Sequence, residues 1–227
     1  MDGTVLSDFT VITEDMLDKT ITLAPVYKQA AFVVKSGSTT TYHEIKDTDE
    51  DNNALFVTLM NALTTGECLR METDVTLAAA PAAMEMRSVA LDLNGHTLTY
   101  GGGTQLFSVK NSTFHLVSSR SGAKIISTTK TPCLINPYSG SRVFVGAGEA
   151  GTDYGDFDGD NISYYDIGIV TMQSNNLCVT GGYFYHSGST PMVQYPGGGN
   201  VRLTNVKIYF SETYTSALIR TSSEQVI

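Results

Sequence analysis

The stretch Ser88-Val89-Ala90-Leu91-Asp92-Leu93-Asn94-Gly95-His96-Thr97-Leu98 decides the fold. Leu91 and Leu93 flank Asp92, the period of two that marks a strand with one buried side. Asn94-Gly95 follows, and an Asn at such a place tolerates left-handed backbone and bonds its own main chain, which suits a tight corner. Thr97-Leu98-Thr99 then opens a second short strand.

The first strand recurs along the chain. Its copies are Thr113-Phe114-His115-Leu116, Val143-Phe144-Val145, Leu177-Cys178-Val179, Val201-Arg202-Leu203 and Val226-Ile227. Successive copies begin 24, 30, 34, 24 and 25 residues apart. A second strand type falls between them, as in Leu106–Val109, Cys133–Ile135, Ile169–Met172, Met192–Tyr195 and Leu218–Arg220. A third includes Thr97–Thr99, Lys124–Ile126, Tyr183–Tyr185 and Val206–Ile208. Asn94, Asn111, Asn175, Asn176, Asn200 and Asn205 stand beside these runs and read as a ladder of corner residues.

Three short strands in every two dozen residues is the arithmetic of a parallel β-helix. One rung cannot bury its own apolar side chains; rungs stacked about 4.8 Å apart bury them as columns. The predicted architecture is therefore all-β, a right-handed parallel β-helix of about five to six rungs. The inward pairs are Leu91 and Leu93, Phe114 and Leu116, Val143 and Val145, Leu177 and Val179, Val201 and Leu203. A β-sandwich would also give turn signals every 8 to 12 residues or so, but the 24-residue register favours the solenoid. The third rung lacks a clear third strand and carries an insertion over about Gly146 to Asp166. Val226-Ile227 opens a further copy at the end of the chain, so a neighbour or further rungs are expected to cover that layer.

Before the rungs, Thr10–Ile12, Thr20–Leu23, Phe32–Val34 and Thr40–Tyr42 read as short strands. Asp51-Asn52-Asn53 are good caps, and Ala54, Leu55, Val57, Leu59, Ala62 and Leu63 follow at helical spacing. These predict a helix over about 53–64, closed by Gly66. The chain divides into a small N-terminal β extension over 1–31 and a β-helix over 32–227.

The segment Ser88–Leu98, read with the helix and the Glu72–Leu77 run before it, resembles right-handed parallel β-helix proteins of the pectin-lyase-like superfamily. The resemblance covers about 32–227. It implies a helix that caps the N-terminal end of the solenoid. It also implies a secreted or cell-surface bacterial module, with catalysis in some members only. Lys19–Tyr27 is similar to the closing strand of small repeat domains in modular bacterial surface proteins. Both likenesses suggest part of a larger multidomain chain.

Composition narrows the function. The 227 residues carry a net charge of -9, only 16% are charged, and there is no tryptophan. Such a low charged fraction argues against long solvated helices and disorder. No apolar run reaches the roughly 18 residues of a membrane span, and no signal peptide is visible at Met1-Asp2-Gly3. Cys68, Cys133 and Cys178 lie far apart and read as three free, mostly buried thiols rather than zinc ligands. Nucleic acid is not expected as a partner of a chain with a pI of 4.8.

Charge is unevenly placed. Residues 1–74 hold 13 acids and 5 bases, and residues 75–227 hold 10 acids and 9 bases. Six of those ten acids lie between Glu149 and Asp166, so the rungs themselves are mildly basic and an acidic glycan is not excluded. Within that loop Asp153, Asp156, Asp158 and Asp160 alternate with glycines, as a calcium site requires of its oxygen donors. The run is not an EF-hand: counted from Asp156, Gly159 falls at position 4 and Ile167 at position 12.

Other chemistry is sparser. His96 reads as a turn residue. Asp92 and His115 fall on the outward column with Phe144, Cys178 and Arg202, and could form an acid–base pair. A lyase base could come from Lys207, Arg202 or Arg142, while Glu85, Asp92, Glu212 and Glu224 are too dispersed for a hydrolase pair. Tyrosines crowd the later rungs, and tyrosine faces can stack on sugars. Tyr183, Tyr185 and Tyr209, with Arg202 and Lys207, are the candidate glycan-binding residues. The reading is a noncatalytic β-helix module for adhesion, glycan binding or spacing, with calcium as the one candidate cofactor. The alternatives are a lyase or hydrolase of acidic polysaccharide, and a purely structural stalk.

Overall fold

A computed structural model describes residues 29–129, 133–138, 140–148, 158–166, 170–171, 176–186, 193–195, 200–211 and 219–221. The proposed strands at Thr10–Ile12 and Thr20–Leu23, and most of the 1–31 extension, lie outside them.

Strands at three successive positions recur along the chain, and those at each position stack on one another in parallel, forming a β-solenoid. The first face stacks Glu67–Met71, Ser88–Asp92, Thr113–Val117, Arg142–Gly146, Asn176–Thr180 and Asn200–Thr204. The second stacks Val75–Leu77, Thr97–Tyr100, Ala123–Ser127, Ile162–Tyr165, Tyr183–His186 and Lys207–Phe210. The third stacks Met84–Glu85, Gln105–Lys110, Cys133–Tyr138, Val170–Thr171, Val193–Tyr195 and Ile219–Thr221. Every rung-to-rung pair is parallel and shares its backbone bonds with the rungs on either side.

Side chains follow the register. On the first face Val89, Phe114, Val143, Leu177 and Val201 form one inward column. Leu91, Leu116, Val145, Val179 and Leu203 form the next. The inward parity matches the sequence pattern, but rung one aligns two residues earlier: Val89 and Leu91, not Leu91 and Leu93, face Phe114 and Leu116. Leu93 is still fully buried, past the strand end. On the second face Val75, Leu98, Ile125, Tyr164, Phe184 and Ile208 stack inward. Tyr164 and Phe184 stack with their rings nearly parallel and their centres 4.2 Å apart.

Ile162–Tyr165 is the third strand that the sequence pattern did not reveal in rung three. It stands against Ala123–Ser127 and Tyr183–His186. The insertion is therefore shorter than its sequence suggests and ends before Ile162. The acidic run just before it, and a tyrosine rather than an aliphatic residue inward, hid the alternation.

The asparagines do not make one ladder. Asn94 and Asn205 take left-handed backbone at the corner between the first and second faces, and Asn111 does so between the third and first. Asn176 and Asn200 open strands, and Asn175 lies outside the described residues. At the Asn94 corner the bonds run between three rungs. Asn94 Nδ2 donates to Met71 O (2.9 Å) and Glu72 Oε2 (3.1 Å), and Ser119 Oγ donates to Asn94 Oδ1 (3.2 Å).

The N-terminal end has two further parts. Ala30–Ser36 and Thr39–Glu44 form an antiparallel hairpin, and Ala30–Ser36 also pairs antiparallel with Glu67–Met71. One helix spans Asp49–Ala62, four residues earlier than the sequence suggests. Thr48, not Asp51–Asn53, caps it: Thr48 Oγ1 accepts from Asp51 N at 3.1 Å. Asp49, Glu50 and Asp51 then complement the positive end of the helix dipole. Asn52 is buried and holds the incoming loop, accepting from Lys46 N and donating to Lys46 O and Thr48 O. Phe56 packs on Phe32 with ring centres 5.8 Å apart. Asn53 and Asn61 accept from Thr76 N and Ala82 N of the first rung. Arg87 donates to Asn61 O and Leu63 O at the helix C-terminus. The helix thus covers the first layer of the core with Phe56, Leu59, Met60 and Leu63.

Since Leu116 is fully buried between Leu91 and Val145, Leu116→Ala should cost about 2–5 kcal/mol of stability. Thr48→Ala should cost about 1 kcal/mol. Both are read by chemical denaturation.

Candidate functional site

The second face carries its outward side chains in columns, because alternation along each strand is repeated by the register between strands. One column brings Tyr165, Tyr185 and Tyr209 together. Their rings stack at 4.8 and 5.0 Å, within 8° and 12° of parallel. The adjacent column is Lys124, Ser163, Tyr183 and Lys207. Lys207 Nζ lies 4.5 Å from the centre of the Tyr183 ring and 3.3 Å from its hydroxyl. Tyr209 is 49% exposed at the last described rung of this face.

Of the five residues proposed for glycan contact, Tyr183, Tyr185, Tyr209 and Lys207 therefore share one outward face. Arg202 does not. It extends the first-face column of His115, Phe144 and Cys178, exposed to solvent. There His115 stacks on Phe144 at 4.9 Å, with the Arg142 guanidinium 5.5 Å from the Phe144 ring centre. Tyr165 completes the tyrosine column, because the strand Ile162–Tyr165 sets it opposite Tyr185.

The acidic loop meets the tyrosine face through Asp160. Its Oδ1 accepts from Gly182 N at 3.2 Å, and its Oδ2 forms an ion pair with Lys207 Nζ. The Lys207 hydrogen bond holds the Asp160 carboxyl below the usual carboxylate range, and Asp160 raises the Lys207 ammonium in return. Asp158 turns back to accept from Asp160 N at 2.9 Å and opens the short 3-10 turn Gly159–Asn161. Gly159 must stay bare, since a Cβ there would sit 1.7 Å from Thr180 O. Asn161 Nδ2 donates to Ser118 O at 3.0 Å. Asp153 and Asp156, the other two proposed calcium ligands, lie outside the described residues. Among the described residues no three His, Cys, Asp or Glu side chains form a metal-ligating group.

Asp92 and His115 are not an acid–base pair. Ala90 stands opposite His115, and Asp92 opposite Val117. Asp92 is buried and turned into the corner, where Oδ1 accepts from Asn94 N and Ser119 N at 2.8 Å each. His96 Nδ1 faces Asp74 Oδ1 at 3.2 Å in an exposed turn. Glu85 pairs with Lys110, while Glu212 and Glu224 lie outside the described residues. A groove of about 330 Å³ opens at the corner of Thr65, Met86, Arg87, Ser88 and Ser112. Two of its hydroxyls hold the rung-to-rung corner: Ser112 Oγ accepts from Arg87 N, and Thr65 Oγ1 from Ser88 N.

No protein-family model, no curated protein and no solved structure matches this chain. The fold itself defines its class, a β-solenoid closed at one end by a helix and a hairpin.

The shifted side chains give two expected outcomes. Burial, with the Asp92 carboxylate nearby, pushes the Cys68 thiol up to about 12, whereas Cys178 is half-buried. Iodoacetamide at neutral pH should label Cys178 well before Cys68, as peptide mass spectrometry reads. Removal from water raises the Tyr185 phenol above its ordinary value, and the phenols of Tyr165, Tyr209 and Tyr183 raise it further; burial alone raises Tyr164 and Tyr100. A raised phenol stabilises the fold fully below the unfolded value near 10 and progressively less above it. The Cys68 thiol follows the same rule from its ordinary value near 9, so stability should begin to fall above about pH 9 and fall more steeply beyond about pH 10, with the phenolate absorbance of the buried Tyr164 and Tyr100 appearing together with unfolding.

Proposed function

We propose that this chain is a noncatalytic β-helix module of a bacterial secreted or surface protein, one part of a larger multidomain chain, whose task is adhesion through glycan contact. The observation that supports it is the outward second face. Four tyrosines on three successive rungs, Tyr165, Tyr183, Tyr185 and Tyr209, stand there beside Lys207. The likeness of Ser88–Leu98 to the pectin-lyase-like superfamily supports the secreted or surface setting. Tyrosine suits such a surface, because its ring is apolar and its hydroxyl stays wet.

The runner-up, a lyase or hydrolase of acidic polysaccharide, draws less support. Its best base, Lys207, is held in its charged form by Asp160, and a base must be neutral to take a proton. Calcium bound by Asp153, Asp156, Asp158 and Asp160 would be an addition to the module, and Asp160 would have to leave Lys207 to join it.

A glycan array probed with the intact protein tests the reading. Binding is expected, and the double variant Tyr185→Ala/Tyr209→Ala should lower it by roughly tenfold or more, with circular dichroism confirming the fold. Unsaturated product from a uronate polymer, lost in Lys207→Ala, would establish the enzyme instead. Neither binding nor turnover would leave the structural stalk.

A further inference from the structure

The tyrosine column differs from a usual sugar platform in one respect. Both faces of the Tyr185 ring are covered, by Tyr165 at 4.8 Å and Tyr209 at 5.0 Å. A sugar cannot stack on it. What the column presents outward is ring edges and a row of hydroxyls, and because the rings are near-parallel the hydroxyls repeat at the ring spacing. That row runs across the strands, so it follows the long axis of the solenoid.

We infer that this row binds a neutral, extended β-1,4-linked polysaccharide laid along the solenoid axis, one sugar to each rung. The inference rests on the glycan reading above and names the ligand class and its direction. A β-1,4-linked chain is a flat ribbon whose sugars advance by close to one strand spacing. Its edge hydroxyls can therefore meet Tyr165, Tyr185 and Tyr209 in step, where an α-linked, helically curved chain falls out of register after a unit or two.

Charge points to a neutral ligand. The cation beside the column, Lys207, is neutralised by Asp160. Among the described outward residues of this face the other cation is Lys124, separated from Tyr183 by Ser163 in its column. Arg142 and Arg202 belong to the first face. A uronate polymer would find almost no uncompensated charge here. The Tyr185 phenol, raised by its surroundings, stays protonated at neutral pH and can donate to a sugar oxygen.

The test uses the intact chain and the triple variant Tyr165→Phe/Tyr185→Phe/Tyr209→Phe. This keeps the stacked rings, and so the fold, while removing the hydroxyls. Pull-down on insoluble cellulose, chitin and β-mannan is compared with binding to amylose, dextran and polygalacturonate by affinity electrophoresis. Retention on at least one β-1,4-linked polymer is expected. It should persist in about 1 M sodium chloride, where exposed charges are screened within a few Å. In the triple variant it should fall roughly tenfold or more. Binding only to α-linked chains, or salt-sensitive binding to polygalacturonate, overturns the inference and leaves the glycan reading standing. Undiminished β-1,4 binding in the folded triple variant also overturns it, because the hydroxyl row is then not the site. No binding to any polymer overturns both.

Discussion

The parallel register between rungs is the constraint on which this molecule rests. Val89, Phe114, Val143 and Leu177 sit one above another, and none of them is buried by its own rung. Each rung contributes one layer and is covered by the next, so stability is close to a sum of neighbour terms. The helix and hairpin meet the same requirement at the N-terminal end. Phe56, Met60 and Phe32 supply the layer that the first rung needs. Leu91, Leu116, Val145 and Val179, each with a described rung on either side, are fully buried by the same rule.

The candidate site is a by-product of that register. Alternation along one strand places a side chain outward, and pairing repeats the position at every rung. Residues 20 and 24 positions apart in the chain, Tyr165 with Tyr185 and Tyr185 with Tyr209, thereby become a continuous stack. A lone outward tyrosine would expose its ring face. In a column the neighbours take the faces, leaving the edges and hydroxyls for a ligand. The same geometry sets Lys207 beside Tyr183.

The corners carry polar chemistry for a structural purpose. Asp92, a charged residue buried in the first-face corner, has its carboxylate satisfied by two backbone N–H groups, and Asn94 ties it to the rung before. These groups resemble catalytic residues in a list of titratable side chains, but they serve the turn. Asp160 plays a comparable part in the loop, bonding to Gly182 and Lys207 and so holding the end of the acidic run against later rungs.

The solenoid was legible in the sequence because the strand signal repeats. Leu116, Val145, Val179 and Leu203 fall in one inward column in the sequence pattern and in the register alike. Patterning could also place Tyr183, Tyr185, Tyr209 and Lys207 on outward positions, since parity is a local property. It could not assign the strand Ile162–Tyr165, whose inward tyrosine and acidic neighbour break the aliphatic pattern. Nor could it register Ser88–Asp92 to the residue, because a shift of two keeps the same parity. Only the tertiary structure separated Arg202 from the tyrosines, parted Asp92 from His115 and joined Asp160 to Lys207. Those outcomes depend on which rungs meet and on where a loop of variable length returns, and both are decided by packing between residues far apart in the chain.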